Sequence, residues 1–265
     1  MKIAFIGAGR MAEALISRLP RGVLVSDIKK DRLSRLKKKY KVKIAKSNLE
    51  AFQHGEVVML SIKPQHMAEV LNEVTSLGLR VSGRKLIISI AAGIPLSYLQ
   101  KKLPGFSIVR AMPNNPCLVG EGIIALARGK KVRSSELGAA KEIFKRVGEV
   151  IEVPEKWMDA VTGLSGSGPA FIYRTIEGLT GGGVAAGLPK RVAAKLALQT
   201  ALGSAKTLKV TGKSPEELRG MVTSPGGTTI EGIKVLEKRK FSRALLDAVV
   251  AAAKKSRTLS QRWTL

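Results

Sequence analysis

An α/β domain followed by an all-helical one is the fold class this sequence predicts, and three observations carry it. Short apolar runs alternate with helical stretches from Lys2 to Val153, the first run enters a glycine turn at once, and after Pro154 long Ala-rich segments take over. Alternating strands and helices make an α/β sheet domain, and helices without strands make a bundle. The change of character places the boundary at Val153–Pro154, giving domains 1–153 and 154–265.

The first strand, Lys2 to Ile6, leads into Gly7-Ala8-Gly9-Arg10-Met11-Ala12 and a helix through Leu15, Ile16 and Leu19. Strand, tight glycine turn and helix form the context in which a glycine pattern signals a dinucleotide site. Gly7 permits the turn, Gly9 lets a pyrophosphate approach the helix amino terminus, and Ala12 keeps helix and strand close. The second strand, Gly22 to Val25, ends at Ser26-Asp27, where an acidic residue would hold the adenosine ribose of NAD. Ser26, Lys29, Lys30 and Asn48 suit a 2′-phosphate instead, and Asp27 also suits a turn or a cap before Arg32-Leu33. Cofactor preference stays open between NADH and NADPH.

The alternation continues with a strand near Val42–Ala45, a helix near Asn48–Gln53 and a strand from Val57 to Ile62 ending at Lys63-Pro64. Pro64 fits the first turn of a helix from Gln65 to Val74. Leu86 to Ile90 ends in Ala91-Ala92-Gly93-Ile94-Pro95, small residues over which a flat ring can lie close to the backbone. Ser107 to Arg110 leads to the rigid loop Ala111-Met112-Pro113-Asn114-Asn115-Pro116. A strand (Gly122 to Leu126), a helix (Ser135 to Arg146) and a strand (Glu149 to Val153) complete the domain. Open α/β sheets bind ligands beyond the carboxyl ends of their strands, where Lys63-Pro64, Ala91-Ala92-Gly93 and Pro113-Asn114 all fall.

In the second half, helical segments cover Trp157–Leu164, Gly168–Ala186, Pro189–Leu208 and Phe241–Gln261. Between the first two, Leu164-Ser165-Gly166-Ser167-Gly168-Pro169-Ala170 reads as a loop, with Ser167 as cap and Pro169 in the first turn. Gly178, Gly181, Gly182 and Gly183 crowd one helix, which suits close helix contact, a bend, an early stop or a contact between chains. Leu245, Val249 and Ala252 share a face of the last helix that suits a core or a dimer seam.

The most distinctive stretch is Thr223-Ser224-Pro225-Gly226-Gly227-Thr228-Thr229-Ile230-Glu231-Gly232, ahead of a helix from Ile230 to Glu237. Adjacent glycines admit close approach, and the first N–H groups of a helix lack internal partners. With hydroxyls on either side, this makes a cradle for a carboxylate, with a threonine beside it. The same composition also serves an ordinary helix cap.

Composition narrows the function classes. Of 265 residues, 45% are hydrophobic and 25% charged, as in a folded protein with room for two cores. No apolar run approaches the roughly 20 residues of a membrane span, and Met1 to Gly7 does not read as a signal peptide. One cysteine, Cys117, fits a reducing cytoplasm, and with only His54 and His66 beside it a dedicated zinc site is not expected. Lys and Arg number 46 against 20 Asp and Glu, a net charge of +26 that attracts anions. The basic residues are scattered as well as clustered and only 4% of residues are aromatic, so a basic solvated surface explains the charge better than a specific nucleic-acid site.

Taken together, Phe5 through Ala12, Ser61 through Pro64, Ala91-Ala92-Gly93, Arg110 through Asn114, Leu164 through Ala170 and Thr223 through Ile230 resemble the pyrroline-5-carboxylate reductase family, which catalyses the last step of proline synthesis. The segments stand in family order over nearly the whole chain. The Ser-Gly-Ser-Gly-Pro and Ser-Pro-Gly-Gly-Thr-Thr stretches are far more specific than the glycine turn. The resemblance implies a Rossmann domain, a helical domain that interlocks with its twin in a homodimer, further assembly into a decamer, and NAD(P)H-dependent reduction of 1-pyrroline-5-carboxylate to L-proline. By position it implies cofactor contacts from Ile6, Gly7, Ala8, Gly9, Arg10, Met11, Ser26, Asn48, Ser61, Ile62, Lys63, Pro64, Ala91 and Ala92. It assigns the substrate carboxylate to Ser224, Gly227 and Thr228, and the ring nitrogen to Thr229 as the catalytic residue. Gly220-Met221 stands where some relatives carry Asp-Asn, and Asp27 where others carry a neutral residue. The alternatives are reduction of another cyclic imine, a β-hydroxyacid dehydrogenase using Lys190 or Lys195, and a nucleic-acid binder.

Overall fold

The computed structural model describes residues 1–76 and 84–263. Among them, eight strands form one sheet in the order β3-β2-β1-β4-β5-β6-β7-β8. The first three strands are β1 (Ile3–Ile6), β2 (Leu24–Ser26) and β3 (Lys43–Ile44), joined by α1 (Arg10–Ile16) and α2 (Lys30–Tyr40). Then come α3 (Asn48–His54), β4 (Val57–Leu60), α4 (Met67–Thr75), β5 (Leu86–Ser89), α5 (Leu96–Lys102) and β6 (Ser107–Met112). β7 (Gly122–Arg128), α6 (Ser134–Lys145) and β8 (Gly148–Glu152) close the sheet. Neighbours are parallel except β6 and β7. A parallel neighbour needs a crossover of a dozen residues or more, and the link from β6 to β7 is too short for one.

The strands are continuous apolar runs because both faces of the sheet are covered. Side chains alternate across the strand, so Ile3, Phe5, Met59 and Ile88 enter one core with Leu15 and Phe144. Ala4, Ile6, Leu60 and Ile87 enter the other with Phe52 and Leu71.

Beyond the sheet lie α7 (Met158–Val161), α8 (Gly168–Ala185), α9 (Lys190–Thr211), α10 (Pro215–Met221), α11 (Thr228–Lys238) and α12 (Phe241–Gln261). The expected loop at Leu164–Ala170 is not a loop. Thr162–Gly166 form a π-helical turn that joins α7 to α8, and the Ser167 amide donates to the Thr162 carbonyl at 2.9 Å. Ser167 closes that turn in a right-handed conformation (φ −88°, ψ −28°), not the extended one of a helix N-cap. By contacts the chain groups into two compact units. One compact unit comprises Met1–Ser167 with Val250–Leu265, and the other comprises Gly168–Val249. Within the second, Gly183 alone of the four crowded glycines meets a neighbouring helix, since an added Cβ would stand 3.0 Å from Ala193.

Candidate active site

The carboxyl ends of β2, β1, β4 and β5 are adjacent in the sheet, and the dinucleotide motif sits on them. Gly7 has φ +103°, and a Cβ there would collide with the Ser61 carbonyl. Only glycine allows the turn after β1 to lie against the turn after β4. The Gly7 amide donates to the Ser26 carbonyl at 2.8 Å, and the Ser61 amide donates to the Ile6 carbonyl at 2.8 Å. Gly9 is the opposite case, because a Cβ there would meet nothing within 4 Å. It stands at the start of α1 with no side-chain cap, so the open space faces uncapped helix N–H groups. A tight glycine followed by an open one fits a dinucleotide whose pyrophosphate lies over Gly9.

Asp27 reaches back into this turn. Its Oδ2 accepts from the Ala8 amide at 2.7 Å, its Oδ1 accepts from the Lys29 amide at 2.7 Å, and Arg32 lies 3.8 Å away. Ser26 is buried, and its hydroxyl donates to Asn48 Oδ1 at 2.8 Å. The Asn48 amide donates in turn to Glu73 Oε2 at 2.7 Å. The structure brings Ser26 and Asn48 into contact, and it adds Glu73, which lies in α4 outside any motif and which sequence reading missed. Asp27 thus binds the glycine turn, and Glu73 joins Ser26 and Asn48 in one hydrogen-bonded chain.

Lys63 is exposed and opens the short 3₁₀ turn Pro64–His66, with Ile62 and Pro64 half-buried beside it. Ala91 is buried, Ala92 is half-exposed and Gly93 turns with φ +72°. The turn is tied down by a residue that sequence reading did not single out. Glu155 Oε1 accepts from the Leu96 amide at 2.6 Å and from Arg110 Nη1 at 3.4 Å. Arg110 is 3% exposed. Burial pushes its guanidinium below the ordinary arginine value, and the nearby Glu155 and Asp159 carboxylates oppose that.

In the helical unit, Gly226 takes φ +69° and the Gly227 amide donates to the Ser224 carbonyl at 3.1 Å. The Ser224 hydroxyl lies against Gly227, 2.6 Å from where a Cβ would stand. Gly227 begins α11 without a side-chain cap, leaving the N–H groups of the first turn free of a side-chain partner. Ser224, Thr228 and Thr229 are exposed around it. The arrangement is an exposed set of donors at a helix start that suits a carboxylate.

A family profile described as pyrroline-5-carboxylate reductase dimerisation matches residues 155–259, and one described as NADP oxidoreductase coenzyme F420-dependent matches residues 2–93. The chain is 45% identical to a pyrroline-5-carboxylate reductase of Synechocystis, over 99% of each chain. It belongs to the pyrroline-5-carboxylate reductase family. The enzyme of that name from Arabidopsis thaliana is 42% identical, over 98% of this chain and 96% of its own. The solved Plasmodium falciparum enzyme with NADP bound superposes with a TM-score of 0.88 at 33% identity, covering 98% of both chains. The activity of this family is NAD(P)H-dependent reduction of a C=N bond, and the fold of a Rossmann domain followed by helices is shared along the full chain.

Proposed function

We propose that the chain reduces 1-pyrroline-5-carboxylate to L-proline with NADPH or NADH, as a cytoplasmic homodimer. The observation that supports this most directly is the uncapped start of α11, where Ser224, Gly227 and Thr228 present donors to one small anion. Binding the carboxylate there fixes which face of the imine ring is offered. A bound reduced nicotinamide supplies the hydride that reduces the imine carbon. Ile6 through Met11 hold its pyrophosphate, Ser26, Asp27 and Asn48 its adenosine ribose, and Ser61 through Pro64 with Ala91 and Ala92 its nicotinamide side. A protonated imine is already electrophilic, so alignment is the main task of the protein. Thr229 orients the ring nitrogen, and its hydroxyl is too weak an acid to serve alone as proton source.

The homodimer reading rests on the helical unit Gly168–Val249, which lies within the proposed dimerisation and substrate domain of residues 154–265. Among the described residues, α8, α10 and α11 bury no side chain, and α9 buries only Ala193 and Ala197. Leu198 is 58% exposed and Leu202 59%. Such apolar area calls for a partner surface, and a second copy supplies it. Gly178, Gly181 and Gly182, open within one chain, let a second backbone approach closely. Assembly of five such dimers into a decamer is the further step proposed from the family resemblance.

The direct test is oxidation of NADH and NADPH in parallel with pyrroline-5-carboxylate, compared as kcat/KM. Turnover with either supports the reading. Absence of turnover with both, alongside oxidation of a β-hydroxyacid, would replace it. Thr229→Ala is expected to lower kcat about tenfold or more through lost orientation, with NADPH affinity unchanged. Full turnover at saturating imine would remove Thr229 from the mechanism.

A further inference from the structure

The last helix ends in the sheet unit, and four of its residues repeat at a spacing the family motifs do not explain. Ser256, Leu259, Ser260 and Trp263 fall at i, i+3, i+4 and i+7, one face of the helix and its terminal turn. Each meets a defined group. The Ser256 hydroxyl donates to Asp159 Oδ1 at 2.7 Å, and Ser260 donates to the same oxygen at 3.2 Å. Leu259 covers Gly93, where an added Cβ would stand 3.0 Å from the leucine Cβ. The Trp263 indole meets the Tyr98 ring edge-on, with centroids 4.7 Å apart, on the helix that follows the turn.

The turn Ala91–Pro95 and the start of α5 are thus held by two sets of contacts. Glu155 binds the Leu96 amide and Arg110, and Leu259 and Trp263 pack on Gly93 and Tyr98. Arg110 anchors the first set from within the core. Among the described residues its Nε and Nη2 are buried without a hydrogen-bond partner, so its attachment to the surroundings runs through Glu155.

We propose that the Ser256–Trp263 face is a clamp on the Ala91–Pro95 turn, making Leu259 and Trp263 positioning residues for the nicotinamide half of the cofactor. The clamp rests on the reading that Ala91 and Ala92 face the nicotinamide. It is expected to act on one half only, because the adenosine half is assigned to Gly7 through Met11 and to Ser26, Asp27 and Asn48, whereas the clamp contacts Gly93, Tyr98 and Asp159.

The test compares NADPH with ADP-ribose, which lacks the nicotinamide, on the full chain carrying Leu259→Ala and Trp263→Ala together. The expected result is an NADPH Kd and KM raised about tenfold, the scale on which small misplacements act, with ADP-ribose affinity unchanged. Trp263→Phe should restore NADPH affinity, since a ring is retained against Tyr98. Equal weakening of both ligands, or of neither, overturns the clamp. If the double variant does not fold, Ser260→Ala carries the same comparison, with a smaller rise for NADPH alone, and no difference between the ligands overturns the clamp there too. Ala92→Leu serves as the control on the underlying reading. Should it leave NADPH binding intact, the placement of the nicotinamide and the clamp both fall. Should it weaken NADPH while the clamp variants do not, the clamp alone is wrong.

Discussion

The two compact units of this chain solve the burial problem in opposite ways. The sheet unit hides its apolar residues within one chain, with Phe5, Phe52 and Phe144 all at 0% exposure in two layers about the sheet. The helical unit, Gly168–Val249, has long helices and almost nothing buried, while Val235 and Leu246 stand 58% and 51% exposed. A set of helices that buries so little cannot offset its conformational entropy alone. The sheet unit is thus specified by its own sequence, and on the proposed dimer the helical unit is specified by the sequence taken twice.

The strongest way to break that comparison is to charge the exposed face. Leu198 and Leu202 lie one helical turn apart on α9, so they share a face. Leu198→Glu with Leu202→Glu should place charges in the seam between copies and convert the protein to monomers or unfolded chains. Activity should fall by roughly a hundredfold or more, because desolvating unpaired charges opposes association by several kcal/mol. Sedimentation and turnover read this together. A fully active monomer would show that the face has no partner.

How much of this was legible beforehand follows the same division. The strands could be read because two-sided burial leaves apolar runs such as Val57–Leu60, and the glycine turn because Gly7 and Gly9 stand directly after β1. The helix α5 was missed because seven residues after Pro95 are too few to show a period. The helix α10 was missed although Ser214 and Glu217 form a capping box with Pro215 at the start, a signal present in the sequence. The π-helical turn was illegible for another reason. Ser-Gly-Ser-Gly-Pro is loop-like in propensity, and tertiary context overrides propensity here. Glu73 and Glu155 carry no motif, and only the fold brings them into contact with Asn48 and Arg110. The return of Val250–Leu265 to the sheet unit left no trace either, because α12 is continuous in sequence while its surroundings change.

A second variant sharpens the contrast from the other side. Phe144→Ala removes a fully buried ring from the core between α6 and the sheet. Such truncations cost about 3–5 kcal/mol. The loss should appear as a lowered denaturation midpoint with the dimer still formed before unfolding. In the Leu198/Leu202 variant, by contrast, the lost stability belongs to association, so the midpoint of the native protein should rise with concentration. Equal responses of both variants to protein concentration would erase the distinction between the units.

The smallest expected effect concerns charges. In the sheet unit, Glu136 is enclosed by donors, accepting from Arg84 Nε at 2.6 Å, the Arg133 amide at 2.8 Å and the Ser107 hydroxyl at 2.9 Å. Burial alone would raise its pKa, but the hydrogen bonds from Arg84, Arg133 and Ser107 outweigh it and hold the carboxyl below the ordinary 4.5. A carboxylate depressed in the folded state stabilises above its unfolded pKa, and that contribution is lost as pH falls through the folded value. Glu136→Gln should therefore cost about 1–2 kcal/mol at neutral pH, as for hydrogen bonds to a charged group. The gap from the native protein should close as the pH drops below 4.5. In the helical unit Glu231 pairs with Lys234 at 2.7 Å, but both are more than 60% exposed. Water and salt screen such a pair, so Glu231→Gln should leave the urea midpoint at neutral pH where it was. Urea midpoints between neutral and acid pH measure both variants, and a Glu136→Gln gap that does not shrink with acid would remove the enclosed carboxylate as its source.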